Sequence, residues 1–272
     1  MIHFTATQFK RALAASTLIV VISVGSAAQA SDPTIDEIWP DSETNPVDYE
    51  VTPDDQREWR QIETKDEMIE ALAVPQAELD SLGATDVVDA AMNYPQWIDF
   101  LAYSSPQDGI DAVRAESQAV QELFTRPDAV RALAGIYAQV DLAELNAADP
   151  DASLRFLFME LLLAQDEALR TLSSPERATL LEEALVKWDD RSTRVKGVFS
   201  TSSAVLLCGR VLLLDDVAFS REARAVEGLS DFFATGDTNA VRPEAWPKIA
   251  SLIAKAASPL VSVGISGELD IN

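Results

Sequence analysis

The stretch FSTSSAVLLCGR, residues 199–210, places the chain's only cysteine, Cys208, behind three serines and a threonine. A nucleophilic thiol needs a neighbouring base or cation that favours the thiolate. Val205, Cys208 and Leu212 fall at i, i+3 and i+7, one face of a helix, while Leu206, Leu207, Val211, Leu213 and Leu214 crowd the other sides. Arg210 is two residues away and on a different face. The pattern predicts a central helix in which Cys208 packs as a small hydrophobe. No residue is assigned a catalytic role.

The hydroxyls ahead of the cysteine have other chemistry open to them. Ser200, Thr201 and Ser202 fall where that helix begins, and a hydroxyl there caps orphan amides. Just upstream, RSTRVKG supplies Arg191, Arg194 and Lys196, three bases within six residues of an acidic chain. A basic loop beside helix-start amides suits a carboxylate, sulfate or phosphate. Arg191, Arg194, Lys196, Ser200 and Thr201 are therefore the predicted anion-binding residues. The alternative is that these bases neutralise Asp189 and Asp190. The segment is no Walker loop, since GxxxxGK[ST] is absent.

Other chemistry is narrowed by composition. The one histidine, His3, lies in an N-terminal stretch expected to be removed, so Ser-His-Asp and Cys-His catalysis and imidazole-dependent zinc sites are excluded from the remainder. Paired acids recur at Asp54-Asp55, Glu182-Glu183, Asp189-Asp190 and Asp215-Asp216. Neighbours on a helix point about 100° apart, so none of these forms the facing pair that glycoside hydrolysis needs. Asp215 and Asp216 are expected to end a helix or to pair with Arg221 and Arg224. The sequence GDTNAV, residues 236–241, starts like a calcium loop and then lacks the alternating oxygen ligands. Neither a metal site nor a cofactor is predicted.

The elements that must position these residues are legible along the chain. Lys10 and Arg11, an apolar run, and Ala28-Gln29-Ala30 form a signal-peptide pattern over residues 1–30, with Ser31 as the expected mature N-terminus. Its apolar core, Leu18 to Val24, is shorter than the roughly 20 residues of a spanning helix, so no membrane insertion is expected after cleavage. Cleavage would leave 45 acids, 19 bases and a formal charge of −26. Such a chain repels nucleic acid and anionic lipid. Residues 31–62 hold four prolines and ten acids without helical period, an extended arm that Trp39, Tyr49 and Trp59 are expected to pin to the body.

From Thr64 onward, start signals and apolar stripes predict helices near 65–73, 75–82, 85–93, 95–103, 106–124, 127–139, 151–171, 175–188, 200–217, 220–234 and 243–257. Thr64-Lys65-Asp66-Glu67 reads as a capping box, Ser105-Pro106 and Ser174-Pro175 as caps, and Thr125 and Ser173 each precede an acid by three residues. Tyr94, Trp97, Ile98 and Leu101 are expected to share one packed helical face. The fold class is all-α over residues 63–257, with a tail at 258–272: stacked helical hairpins in a HEAT/armadillo-like superhelix, or a compact helical bundle.

The segment from WRQIETKDEMIEALAVPQAELDSLGATDVVDAAMNYPQWIDFLAYSSPQDGIDAV through QELFTRPDAVRALAGIY resembles exported, helical bacterial proteins. In those, an NYP turn, an AYSSPQDGI-like phrase and an ELFTRPDA-type phrase follow one another. The resemblance covers under a third of the chain; it implies an exported helical fold and assigns no activity. Together these readings give an expected exported binding or scaffolding protein, periplasmic or secreted, whose partner is another protein and not nucleic acid. The competing class is a carboxylate-dependent hydrolase or an oxygen-ligated metal-binding protein. Oligomeric state is left open.

Overall fold

A computed structural model describes residues 46, 47, 49, 62, 64–142, 150–193 and 201–260. The helices among them are α1 (Lys65–Ala71), α2 (Gln76–Leu79), α3 (Ala84–Met92), α4 (Pro106–Glu116), α5 (Gln118–Thr125), α6 (Pro127–Gln139) and α7 (Pro150–Leu163). They continue as α8 (Asp166–Thr171), α9 (Ser174–Thr193), α10 (Ser202–Asp215), α11 (Val217–Arg224), α12 (Leu229–Thr235) and α13 (Trp246–Ala257). Short 3₁₀ turns occupy Trp97–Ala102, Thr238–Ala240 and Pro243–Ala245. No strand occurs among the described residues. The arm's Trp39 and Trp59, the basic residues Arg194 and Lys196, Ser200, and the tail beyond Leu260 lie outside the described residues.

Of the two arrangements expected, the compact bundle forms. The central helix α10 packs against α7, α9, α11, α12 and α13, and α12 reaches back to α4. In a solenoid each unit touches only its neighbours. All ten side positions from Ser203 to Leu212 are buried, in keeping with the apolar residues that encircle this segment. Around it, α3 packs on α5 and α6, and α6 packs on α7, α8 and α9. Of the three aromatics expected to pin the arm, Tyr49 is among the described residues: its hydroxyl donates to the Ala90 carbonyl at 2.8 Å and its ring meets Tyr94 edge-on at 6.1 Å.

Several caps are as read. Thr64 Oγ1 accepts from the Glu67 amide at 3.2 Å while Glu67 Oε2 accepts from the Thr64 amide at 3.0 Å. Ser105 Oγ accepts from the Asp108 amide. Glu176 reaches back to the amide and hydroxyl of Ser173. Thr125 differs: it is the last residue of α5, its hydroxyl bonds the Glu122 carbonyl, and Asp128 pairs with Arg126 instead.

The long helices expected at 106–124, 151–171 and 220–234 are each two. Ser117 leaves helical geometry at φ −103°, ψ 114°, and its hydroxyl caps α5 through the Val120 amide. Gln165 lies between α7 and α8; its side-chain amide donates to the Leu161 carbonyl, a helix-end group, and its Oε1 accepts from Gln107 Nε2 of the distant α4. Gly228, at φ +78°, turns the chain between α11 and α12. Asp216, not Ser220, starts α11, accepting from the Ala218 and Phe219 amides. Asp215 pairs with Arg177, not with the arginines of α11.

The segment expected as a helix at 95–103 is the 3₁₀ turn, which changes its faces. With three residues per turn, i and i+3 eclipse. Trp97 and Phe100 therefore point inward together, and Ile98 and Leu101 point outward together, 40 % and 51 % exposed. The single packed face expected for Tyr94, Trp97, Ile98 and Leu101 does not form.

Candidate functional site

Two places gather the side chains of interest. The first lies beside Cys208, where α6, α7, α9 and α10 meet. The helical repeat of α7 turns Glu160 into the core, fully buried, among Phe158, Met159 and Leu161 to Leu163. A lone carboxylate there would cost several kcal/mol or more to desolvate. It is instead satisfied from three helices. Tyr137 of α6 donates its hydroxyl to Glu160 Oε1 at 2.9 Å. Ser203 of α10 donates to Oε2 at 2.5 Å, and Arg191 of α9 forms an ion pair with Oε1. The Arg191 guanidinium also reaches Ser203 Oγ at 3.3 Å and stacks over the Phe156 ring at 5.2 Å.

The electrostatics follow from burial. Burial alone would lower the Arg191 pKa; the Glu160 charge, with Tyr137 and Cys208, outweighs it, so the net direction is upward and the guanidinium stays charged. Burial, then the Glu160 charge, pushes the Tyr137 phenol well up and keeps it a neutral donor. Burial, again followed by Glu160, pushes the Cys208 thiol up despite the opposing Arg191. A protonated, inaccessible thiol is a packing group. Native Cys208 should therefore stay unmodified by iodoacetamide while the urea-unfolded chain reacts to completion, as read by intact mass. Alkylation at equal rates in both states would refute the packing assignment.

Of the residues predicted to hold an anion, Arg191 is turned into the core against Glu160, and Thr201 is buried at the start of α10. Arg194, Lys196 and Ser200 fall outside the described residues. Ser203, in the same serine cluster, pairs with a carboxylate as a hydroxyl nucleophile would with a base, yet it is buried with it. The geometry neutralises one buried charge with another and joins α7, α9 and α10. Sequence reading passed over Glu160, although an acid inside the apolar run FLFMELLLA already signals a buried partner.

The second place is the 3₁₀ turn Trp97–Ala102, a ledge on the surface. Its inner side is fixed by aromatic packing: Trp97 lies 5.7 Å and Phe100 5.5 Å from Phe158, and the Arg155 guanidinium sits 5.0 Å over Trp97. Arg155 also donates to the Met92 carbonyl and Asn93 Oδ1. The ledge backbone rests on α4 at Gly109, where a Cβ would come within 2.2 Å of the Phe100 carbonyl oxygen. Only glycine permits that approach. The outer side presents Ile98, Leu101 and, 39 % exposed, Tyr103. At its edge Lys65 pairs with Glu116.

Acids dominate this part of the chain. Burial, then the Glu116 charge, raises the Asp99 pKa, with Lys65 opposing. On α3, burial and the neighbouring Asp86 push Asp89 up to about 6 from its ordinary 3.8. A raised folded-state value means that the folded chain takes up this proton first, so Asp89's contribution to stability increases as pH falls from 6 to 3.8 and is unfavourable above. Asp89→Asn should accordingly stabilise the protein at pH 7 by about 1 kcal/mol, allowing for solvent screening of a part-exposed group. The two chains should converge below pH 4 in urea titrations. A constant offset across pH would contradict the assignment.

Among the described residues there is no group of three or more His, Cys, Asp or Glu side chains that could hold a metal ion. No helix among them is long and apolar enough to cross a membrane. Comparison of the chain with protein-family models, with curated proteins and with solved structures finds no match.

Proposed function

We propose that the protein is an exported binding or scaffolding protein of the cell envelope or extracellular space, acting on another protein through the ledge 97–103. The observation that carries this reading is the exposure of Ile98, Leu101 and Tyr103 together on a turn whose inner side is locked by Trp97, Phe100 and Phe158. Large apolar side chains held outward on a rigid support gain by burial against a partner and lose little conformational entropy in doing so. Export rests on the signal pattern of residues 1–30.

Photo-crosslinking in intact cells tests both parts. A diazirine amino acid at position 101 should give a discrete adduct containing a second polypeptide. The same group at position 213, an exposed leucine at the end of α10, should not. The recovered chain should begin at Ser31. Equal crosslinking from both positions, or recovery of the chain with residues 1–30 attached, would overturn the proposal.

A further inference from the structure

We infer that the ledge of Ile98, Leu101 and Tyr103 docks a basic polypeptide segment that carries its own apolar side chains. This rests on the binding reading above and names the chemistry of the partner. The apolar half of the argument is geometric. Ile98 and Leu101 are stacked in register by the 3₁₀ repeat, and Tyr103, also exposed, follows directly after the turn, so side chains along an extended or helical segment can pack on them.

The charge half comes from the chain around it. Residues 66–113 contain ten acids and no lysine or arginine. Among the described residues, the bases that approach this region are already engaged. Lys65 pairs with Glu116 and Arg114 with Glu167. Arg126 binds Asp128 and the Leu82 carbonyl, and Arg155 binds Met92 and Asn93. Asp99 sits on the ledge itself, between the two apolar residues, and Asp108 and Asp111 follow on the supporting helix α4. An acidic segment, a nucleic acid or an anionic lipid surface would be repelled by this field. A neutral apolar segment would gain only burial. A basic one gains burial on the ledge and attraction from its surroundings, and so is the occupant that fits both.

The test uses the full mature chain and three labelled synthetic probes: an alternating Lys/Leu peptide, its Glu/Leu counterpart, and polylysine. Binding is read by fluorescence anisotropy. The Lys/Leu peptide should bind best, and Ile98→Ser with Leu101→Ser should weaken it about tenfold or more. Raising salt from about 50 to about 300 mM should weaken it several-fold. Leu213→Ser with Leu214→Ser removes as many exposed apolar side chains elsewhere, without changing charge, and should leave affinity unchanged. All four substituted positions are exposed, and a melting curve confirms that each variant is folded.

Equal affinity of the wild-type and ledge variants for the Lys/Leu peptide would overturn the inference, because the contact would then be diffuse attraction to a mature chain of formal charge −26. Preference for the Glu/Leu peptide would overturn the basic partner and leave the binding role standing. So would sedimentation showing a dimer that the ledge variant abolishes, since the occupant would be a second copy. Crosslinking in cells fails or succeeds independently of all three.

Discussion

Glu160→Ala is expected to destabilise the protein by about 3–5 kcal/mol, because it leaves a buried guanidinium without its counter-charge. Tyr137 and Ser203 lose their acceptor in the same step. In urea titration the midpoint should fall with little change in slope. The informative comparison is Glu160→Met combined with Arg191→Met. Removing both charges relieves the desolvation of each, so the double variant should recover more than half of the loss. A double variant no better than Glu160→Ala would mean that the pair is strongly net stabilising. A single variant within 1 kcal/mol of wild type would refute the buried pair itself.

Arg210→Met is the second large effect. Arg210 is buried in α10 and donates to Ala164 and Phe233 carbonyls at 3.0 and 2.7 Å, to Ala234 at 2.9 Å and to Gln107 Oε1 at 2.8 Å. None of these acceptors is a carboxylate. The Ala164 carbonyl closes α7, and Phe233 and Ala234 lie in the last turn of α12, where helix carbonyls are unpaired and carry partial negative charge. Burial lowers the Arg210 pKa, with Asp166, Asp111 and Glu167 opposing, and two helix ends stand in for the counter-ion. Methionine keeps much of the stem volume and orphans these acceptors, so a loss of about 3 kcal/mol or more is expected. Arg210→Lys should also be impaired, since an ammonium cannot span the same fork of acceptors. Amide exchange should rise first in α12. Unchanged protection there would contradict the bracing role.

Much of the fold was legible because it is written locally. The Thr64 box and the Ser105 cap are satisfied by residues three positions away, and the encirclement of α10 is a plain run of apolar side chains. What was missed depends on groups far apart in sequence. The break after Ala164 is supported by Gln107 and Arg210, which no local pattern announces. Helix α9 was expected to stop at Trp188, where the apolar period ends. It continues through Thr193 because its next inward position is taken by Arg191, a charged residue with a buried partner. The ledge was misread for another reason: helical spacing of 3.6 and 3.0 differ by little over one turn, yet that difference decides whether Ile98 faces the core or the outside. Its acids and its apolar residues were both visible, but not that they share a surface.

The long reach of Arg210 also governs how the chain can be assembled. Gln107 and the arginine that holds it are 103 positions apart, and Glu160 meets its partners 31 and 43 positions further on. The loops that these contacts close make early halves of the polypeptide costly to order. Nothing before residue 203 completes the polar centre, and nothing before residue 234 closes the seam with α12. A nascent N-terminal portion is thus left with an unmatched acid in its interior, and the whole must fold as one all-or-none unit instead of accreting hairpin by hairpin.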